Sequence, residues 1–156
     1  MQATASPEIG QVAPDFKLKG PGGQFVTLTE YRGKKNVLLA FYPLAFSPVC
    51  SHQLPMIQKD LERFRALGTE VIGVSVDSHY ANEAFARDLL LTFPLLSDFH
   101  RKASIDYGVL LPDYQYSGRA LFLVDRQGRI AYRDISPTLG EIPSNERVIE
   151  ALERLA

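Results

Sequence analysis

The sequence predicts an α/β fold in which helices cover both faces of a largely parallel sheet. Residues 37–42 and 71–76 form two runs that are almost entirely apolar, which is typical of strands buried on both faces. Each run is followed by a segment whose apolar residues recur at helical spacing. A strand, a helix and a second strand in succession require a crossover connection, so these two strands are expected to be parallel.

Other elements flank this pair of units. Residues 15–18 and 24–28 alternate apolar and polar side chains around a turn rich in Gly and Pro, which predicts an N-terminal antiparallel hairpin. The other expected elements are a helix over 78–90, an extended piece at 94–96, a short helix at 102–107, strands at 120–124 and 130–135, and a closing helix from about residue 144. This order indicates a thioredoxin-like α/β sandwich with an added N-terminal β-hairpin. At 156 residues, the whole chain, 1–156, is expected to form a single domain.

The helix after the first buried strand has a defined predicted start. Ser47 is a favoured N-cap residue, and Pro48 suits the first helical position because proline lacks the N–H that would have no partner there. Cys50 is then expected at the third helical position, and Gly68 fits the left-handed residue that ends the helix. The stripe expected to face the core comprises Leu54, Ile57, Leu61 and Phe64.

The composition argues against several classes of partner and of functional site. Lys and Arg number 17 against 18 Asp and Glu, without a run of either sign, so neither nucleic acid nor a membrane surface is an expected partner. No apolar run is long enough to span a bilayer, and residues 1–6 lack the apolar core of a signal peptide. A cytoplasmic location is therefore expected. The three histidines have no ligand-like spacing, and neither a metal nor another cofactor is expected.

Cys50 is the only cysteine of the chain, which rules out an internal disulfide and a Cys-x-x-Cys mechanism. In the first turn of a helix, unpaired backbone N–H groups and the positive end of the helix dipole favour thiolate over thiol. The thiolate is the reactive form of cysteine. The position of Cys50 therefore indicates a cysteine-based enzyme, whereas a lone cysteine without this context is more often a small buried apolar residue.

Six segments together resemble the peroxiredoxins. They are Ala-Pro-Asp-Phe at 13–16, Tyr-Arg-Gly-Lys at 31–34, Phe-Tyr-Pro at 41–43, the Pro-x-x-x-Ser-x-x-Cys loop at 43–50, Phe-Pro-Leu-Leu-Ser-Asp at 93–98 and Gly-Arg-Ala-Leu-Phe at 118–122. The match runs from about residue 10 to the end of the chain. The single cysteine and the segment at 93–99 look most like the one-cysteine AhpE type of bacteria, which is related to the bacterioferritin-comigratory-protein group.

The resemblance implies a thiol peroxidase that reduces hydrogen peroxide, alkyl hydroperoxides or peroxynitrite. By the same resemblance, Cys50 is the nucleophile that becomes a sulfenic acid, and an external thiol or a thioredoxin- or glutaredoxin-like protein restores it. Ser47 offers a hydroxyl to the sulfur and the peroxide oxygens, Arg119 supplies a fixed positive charge, and Pro43 shapes the loop and keeps water from the thiolate. A homodimer is expected by analogy.

Three positions depart from the usual pattern of the family. Ser47 and Leu121 stand where threonine is commoner, and Gln53 stands where glutamate is commoner. Ser47 keeps the hydroxyl without the methyl group that restricts its rotamers, and Gln53 lacks a charge. Pro55 occupies the site of the resolving cysteine of a related two-cysteine subgroup. Because proline removes a helical hydrogen bond, a kink or a loosened turn is expected after Cys50, which would let the oxidised sulfur meet its reducing partner.

Two other functions stay open from the sequence alone. A peroxide sensor that passes oxidation to a client protein would share the Cys50 chemistry but would turn over poorly with thiol reductants. A non-catalytic interaction domain on the same scaffold would leave Cys50 reduced after exposure to peroxide. His52 lies two residues from Cys50 and, like Gln53, is an open candidate for a role in the site.

Overall fold

The computed structural model describes residues 5–155, which form a central seven-stranded sheet with helices on both sides and a separate two-stranded ribbon. The strands are β1 (Lys17–Lys19), β2 (Phe25–Thr27), β3 (Asn36–Phe41), β4 (Thr69–Ser75), β5 (Leu95–Ser97), β6 (Leu110–Leu111), β7 (Tyr116–Ser117), β8 (Ala120–Val124) and β9 (Ile130–Ile135). The helices are α1 (Cys50–Lys59), α2 (Leu61–Ala66), α3 (His79–Asp88), α4 (Lys102–Asp106) and α5 (Asn145–Leu155). Residues 1–4, on which the expectation about a signal peptide largely rests, lie outside the described residues.

The main sheet has the strand order β2-β1-β5-β4-β3-β8-β9. β3 pairs in parallel with β4, as the crossover argument predicted, and β4 also pairs in parallel with β5. β8 is antiparallel to β3, and β9 is antiparallel to β8. Because parallel strands end at the same edge of a sheet, the loops that follow β3, β4 and β5 lie along one edge.

The predicted N-terminal hairpin is present, since β1 and β2 pair antiparallel. One residue pair, Lys19 with Ser97, joins this hairpin to β5. Gly22 and Gly23, in the turn between the two strands, have φ values of +69° and +75°, where a residue with a Cβ atom is rarely found. The hairpin therefore extends the sheet beyond its parallel strands.

Two apolar cores cover the two faces of the main sheet. Successive residues of a strand point to opposite faces, so Leu38 and Ala40 of β3 lie in one core while Leu39 and Phe41 lie in the other. Helices α1, α2, α3 and α5 pack in the first core, and α4 packs in the second. The stripe predicted to face the core is buried there as expected: Leu54, Ile57, Leu61 and Phe64.

The helix that was expected to run to residue 68 is divided in two at Asp60. Asp60 has φ −98° and ψ 7°, and its N–H donates to the carbonyl of Ile57 instead of that of Met56. The Met56 carbonyl accepts a hydrogen bond from Asn145 Nδ2, 3.0 Å away. The Met56 carbonyl, which would accept the Asp60 N–H in a continuous helix, is thus bonded to the first residue of α5. A separate helix, α2, begins at Leu61.

The region around Cys50 differs from the prediction in one further respect. Val49 is the N-cap residue of α1, so Cys50 is the first helical residue and not the third. Pro55 lies inside α1, and the kink or loosened turn expected there stays a prediction. A proline near the helix start removes a single N–H donor, and the rest of α1 continues to Lys59. The ribbon of β6 and β7 was not predicted either.

Candidate active site

Cys50 lies at the start of α1 with its side chain fully buried, at 0% exposure. The loop at 42–49 carries the chain from the end of β3 to this helix. The carbonyl of Ser47 accepts hydrogen bonds from the N–H and the hydroxyl of Ser51, each at 3.0 Å, and these bonds begin the first turn. The sulfur therefore lies at the positive end of the α1 dipole, where a negative charge is stabilised.

Arg119 is the charged residue that the fold brings to Cys50. It immediately precedes β8, which is the antiparallel neighbour of β3, the strand that leads into the Cys50 loop. Its Nη1 atom lies 3.0 Å from Cys50 Sγ, and its Nε atom donates to the carbonyl of Leu139 at 2.5 Å. The residue is only 3% exposed, so water screens the attraction between guanidinium and sulfur poorly.

Ser47 and Pro43 lie in the same loop, but the structure gives Ser47 other partners than those expected. The Ser47 hydroxyl donates to the Leu44 carbonyl at 2.9 Å, and among the described residues no hydrogen bond joins it to Cys50. The prediction that the Ser47 side chain caps α1 is wrong, because its hydroxyl donates to a loop carbonyl and, among the described residues, accepts no N–H of the first turn. Pro43 is buried directly after β3.

A polar network holds the loop against the ends of the parallel strands. Asp77 Oδ2 accepts hydrogen bonds from the N–H of Ala45 and the hydroxyl of Ser75, each at 2.8 Å. Nearby, the Tyr42 hydroxyl donates to Asn82 Oδ1. Burial raises the pKa of Tyr42 well above its usual value, and the charge of Asp77 adds to this rise, so Tyr42 is a neutral donor. The sequence reasoning missed this network, although Asp77 follows a buried parallel strand, a common place for functional residues.

Gln53 completes the surroundings of the sulfur. It lies three residues after Cys50, is 1% exposed, and accepts through Oε1 a hydrogen bond of 2.8 Å from Arg119 Nη1. Its departure from the family pattern marked it in the sequence, but its contribution was left open. His52, the other open candidate, is exposed and forms no hydrogen bond to the sulfur within the described residues.

The described chain, residues 5–155, contains no group of three or more His, Cys, Asp or Glu side chains arranged to hold a metal ion. Over the same residues, no helix has the length and apolar character needed to cross a membrane. The functional groups brought together are a buried thiol, a buried guanidinium and a neutral amide. This set can provide a sulfur nucleophile and can stabilise negative charge on the molecule that it attacks.

The chain is similar in sequence to known proteins. The model of the AhpC/TSA family matches residues 9–133. Alkyl hydroperoxide reductase E of Mycobacterium tuberculosis is 37% identical over 149 residues, an alignment that covers 94% of this chain and 97% of the relative. Peroxiredoxin-2 of Macaca fascicularis is 40% identical over 160 residues, covering 96% of this chain and 78% of the relative.

Solved structures agree with the sequence relatives. The reduced 2-Cys peroxiredoxin of Plasmodium vivax superposes with a TM-score of 0.87 at 33% identity, over 94% of this chain and 81% of that one. AhpC of Mycobacterium tuberculosis gives a TM-score of 0.85 at 27% identity, over 96% and 93% of the two chains. These neighbours confirm the predicted thioredoxin-like fold. The chain therefore belongs to the AhpC/TSA family of peroxiredoxins, and with its single cysteine it is a thiol-dependent peroxidase of the one-cysteine type.

Proposed function

We propose that Cys50 is the residue oxidised in each catalytic cycle and that its substrates are hydrogen peroxide, alkyl hydroperoxides or peroxynitrite. The thiolate attacks the terminal peroxide oxygen, and an S–O bond forms as the O–O bond breaks. The departing oxygen leaves with the electron pair, as hydroxide or alkoxide that takes up a proton, or as nitrite from peroxynitrite. The sulfur is oxidised to a sulfenic acid, and the peroxide is reduced to water, an alcohol or nitrite.

The contact between Arg119 Nη1 and Cys50 Sγ is the observation that carries this proposal. At 3.0 Å and in a buried setting, the guanidinium stabilises the thiolate before the reaction. During the reaction, negative charge moves from the sulfur to the departing oxygen. A fixed cation with several N–H donors stabilises both positions of the charge, and it is already oriented by the Leu139 carbonyl.

Ser47 and Pro43 have supporting roles in the proposal. The Ser47 hydroxyl donates to a loop carbonyl in the described state, and its oxygen retains lone pairs for a peroxide O–H. Rotation about one side-chain bond would redirect the hydroxyl towards a peroxide oxygen. Pro43, buried in the loop two residues after the end of β3, limits the conformations of the loop and the access of water to the sulfur.

An external thiol regenerates Cys50 in this proposal. The first thiol attacks the sulfenic sulfur, forming a mixed disulfide and releasing water, and a second thiol attacks that disulfide and restores the Cys50 thiol. A small thiol or a thioredoxin- or glutaredoxin-like protein of the cytoplasm would supply these electrons. Because Cys50 is the only cysteine of the chain, the reducing thiol has to come from another molecule.

Stopped-flow mixing of the reduced protein with hydrogen peroxide tests these roles, with mass spectrometry to locate the sulfenic acid. Oxygen is expected on Cys50 in the wild type. Arg119→Ala is expected to slow its formation by more than tenfold, since about 1.4 kcal/mol of transition-state stabilisation corresponds to each factor of ten.

Arg87→Ala is a matched control for this experiment, because Arg87 is an exposed arginine at the end of α3. Its rate is expected to equal that of the wild type. A loss of less than about tenfold in Arg119→Ala would remove Arg119 from the mechanism. A wild-type protein whose Cys50 stays reduced under peroxide would contradict the proposed function as a whole.

We further propose a single-domain homodimer. Large aromatic side chains are exposed on loops and helix starts: Phe46, Tyr80, Phe99 and Tyr114. Such apolar surface favours association, and Phe46 lies in the loop that precedes Cys50. Sedimentation velocity is expected to show a species of twice the 17.4 kDa chain mass, and a monomer at micromolar concentration would contradict this part of the proposal.

A further inference from the structure

A groove of about 710 Å³ lies beside the end of β5, and neither Cys50 nor Arg119 lines it. Residues of β1 and β2, of the start of α3, of the loop after β5 and of α4 form its lining. Sites that bind small molecules in proteins have volumes of about 300–1,000 Å³. The groove is therefore large enough to hold a small molecule away from the peroxidase site.

Three aromatic side chains that line this groove are exposed to solvent. Phe25 of β2, Tyr80 of α3 and Phe99 after β5 are 56%, 74% and 55% exposed. The His79 ring lies 4.0 Å from that of Tyr80, and His100 packs edge-on against Phe99 with ring centres 5.5 Å apart. Aromatic faces favour stacked or edge-to-face contact with another ring. The groove therefore offers surface suited to a planar aromatic ligand.

Two lysines of β1 place positive charge beside this aromatic surface. Lys17 Nζ and Lys19 Nζ lie 4.9 Å and 5.9 Å from the centre of the Phe25 ring. The ion pairs formed between described residues include neither of these lysines. Lys102, on the α4 side of the groove, differs because it pairs with Asp106 at 2.6 Å. The ammonium groups on β1 are therefore available to a bound anion.

The carboxylates of the groove already have partners within the protein. Asp15 accepts hydrogen bonds from the N–H and the hydroxyl of Thr29. Asp98 accepts two N–H groups of α4, and Asp106 pairs with Lys102. Among the described residues, the charged side chains of the groove without such a partner are thus the two lysines of β1. A ligand that satisfies them must carry negative charge.

We propose that this groove binds a small planar aromatic anion, whose ring stacks on the exposed aromatic side chains and whose anionic group contacts Lys17 and Lys19. The two lysines are two positions apart on one strand, so their side chains point to the same face of the sheet. One carboxylate, sulfonate or phosphate group has enough oxygens to accept hydrogen bonds from both. The inference goes beyond the peroxidase reaction and does not depend on the chemistry of Cys50.

Fluorescence titration with anilinonaphthalene sulfonate tests this inference, because the probe joins aromatic rings to a single negative charge. Saturable binding to the wild type is expected. The double variant Lys17→Gln/Lys19→Gln is expected to raise the Kd of the probe at least about tenfold, since it loses both charge-assisted contacts. Phenylnaphthylamine, which has the rings without the charge, is expected to bind both proteins equally. Inorganic phosphate, which has charge without a ring, is expected to compete poorly with the probe.

The double variant Lys34→Gln/Lys35→Gln is the matched control. Both of these lysines are exposed in the turn before β3 and lie outside the groove. This variant loses the same charge as Lys17→Gln/Lys19→Gln, but its Kd for the probe is expected to equal that of the wild type. Sedimentation velocity is expected to give the same species for both variants and for the wild type.

A wild type that does not bind the probe saturably would overturn the inference, and so would an unchanged Kd in Lys17→Gln/Lys19→Gln. An equal rise of the Kd in both double variants would also overturn it, because the effect would then come from net charge. A changed sedimentation coefficient in Lys17→Gln/Lys19→Gln alone would assign the groove to a second copy of the chain instead. Peroxide oxidation of Cys50 is expected to keep its wild-type rate in both variants, so these outcomes are distinct from a failure of the proposed function.

Discussion

Asp77 is the residue that attaches the Cys50 loop to the sheet. Its Oδ2 atom accepts the N–H of Ala45 and the hydroxyl of Ser75. Asp77→Ala is expected to slow Cys50 oxidation by about tenfold or more, because the loop loses its fixed position and small misplacements of reacting groups reduce rates strongly. It is also expected to lower the free energy of unfolding by about 1–3 kcal/mol, since the Ala45 N–H loses its acceptor.

Peroxide stopped-flow and urea unfolding measure these two effects. Asp77→Asn keeps one acceptor oxygen and is expected to fall between Asp77→Ala and the wild type. Asp113→Ala is the control, because Asp113 is exposed in another loop. A wild-type oxidation rate in Asp77→Ala would show that the loop keeps its position without this carboxylate.

For single residues, the sequence predicted those that belong to a motif and missed those whose role depends on tertiary contacts. The loop motif identified Cys50, and the segment before β8 identified Arg119, whose Nη1 atom does lie beside the sulfur. The hydroxyl of Ser47 bonds within its own loop, a choice that local sequence does not specify. Asp77 acts on a backbone N–H 32 positions away, and no local pattern reveals such a contact.

Helix α4 depends on a carboxylate outside its own first turn. Arg101, which precedes it, has a positive φ of 65° and forms no side-chain cap. The buried Asp98 accepts the N–H groups of Ala103 and Ser104 and the Ser104 hydroxyl at 2.7–3.0 Å. Desolvation nevertheless raises the pKa of Asp98, and these hydrogen bonds offset the rise only in part. The ionised Asp98 carboxylate at the start of α4 is thus less stable in the folded chain than in water.

The pH dependence of stability is expected to reveal this cost. Because the pKa of Asp98 is higher in the folded chain than in the unfolded chain, its favourable contribution is complete below about pH 4. That contribution is lost as the pH rises through the folded value. The free energy of unfolding of the wild type, minus that of Asp98→Asn, is therefore expected to fall from pH 3 to neutral pH. Urea unfolding at a series of pH values measures it, and a difference that rises with pH would contradict the assignment.

Elements were predicted well where their own residues determine them. The strands β8 and β9 have the predicted bounds, because each is a compact apolar or alternating run between turn signals. The division between α1 and α2 was not predictable locally, and the Met56 carbonyl beside it bonds to Asn145 of α5, 89 positions away. The ribbon of β6 and β7 has two residues per strand, which is too short for alternation to appear.

The main sheet as a whole requires a residue without a side chain at its centre. Gly73 lies in β4, between β3 and β5. A Cβ atom there would lie 2.5 Å from Leu95 and 3.3 Å from the ring of Tyr42, which directly precedes Pro43. Gly73→Ala is expected to lower the free energy of unfolding by about 1–3 kcal/mol, because the buried side chains of Leu95 and Tyr42 would have to shift within the packed core.

Gly140→Ala is the matched control, since no atom lies within 4 Å of a Cβ built at Gly140. Its stability is expected to equal or slightly exceed that of the wild type. Chemical denaturation of both variants measures the contrast. Equal free energies of unfolding for the two variants would indicate that the centre of the sheet accepts a Cβ atom without loss of stability.

The complete enclosure of Cys50 has a practical consequence for studies of the enzyme. A sulfur with no accessible surface must be uncovered before any peroxide can reach it, and the cysteine of another protein, which must come within about 2 Å to bond with it, requires a wider opening. Any covalent dimer joined through Cys50, seen after oxidation by gel electrophoresis without a reducing agent, must have come from chains whose α1 start had opened. The yield of that dimer therefore reports on how often the enclosure opens.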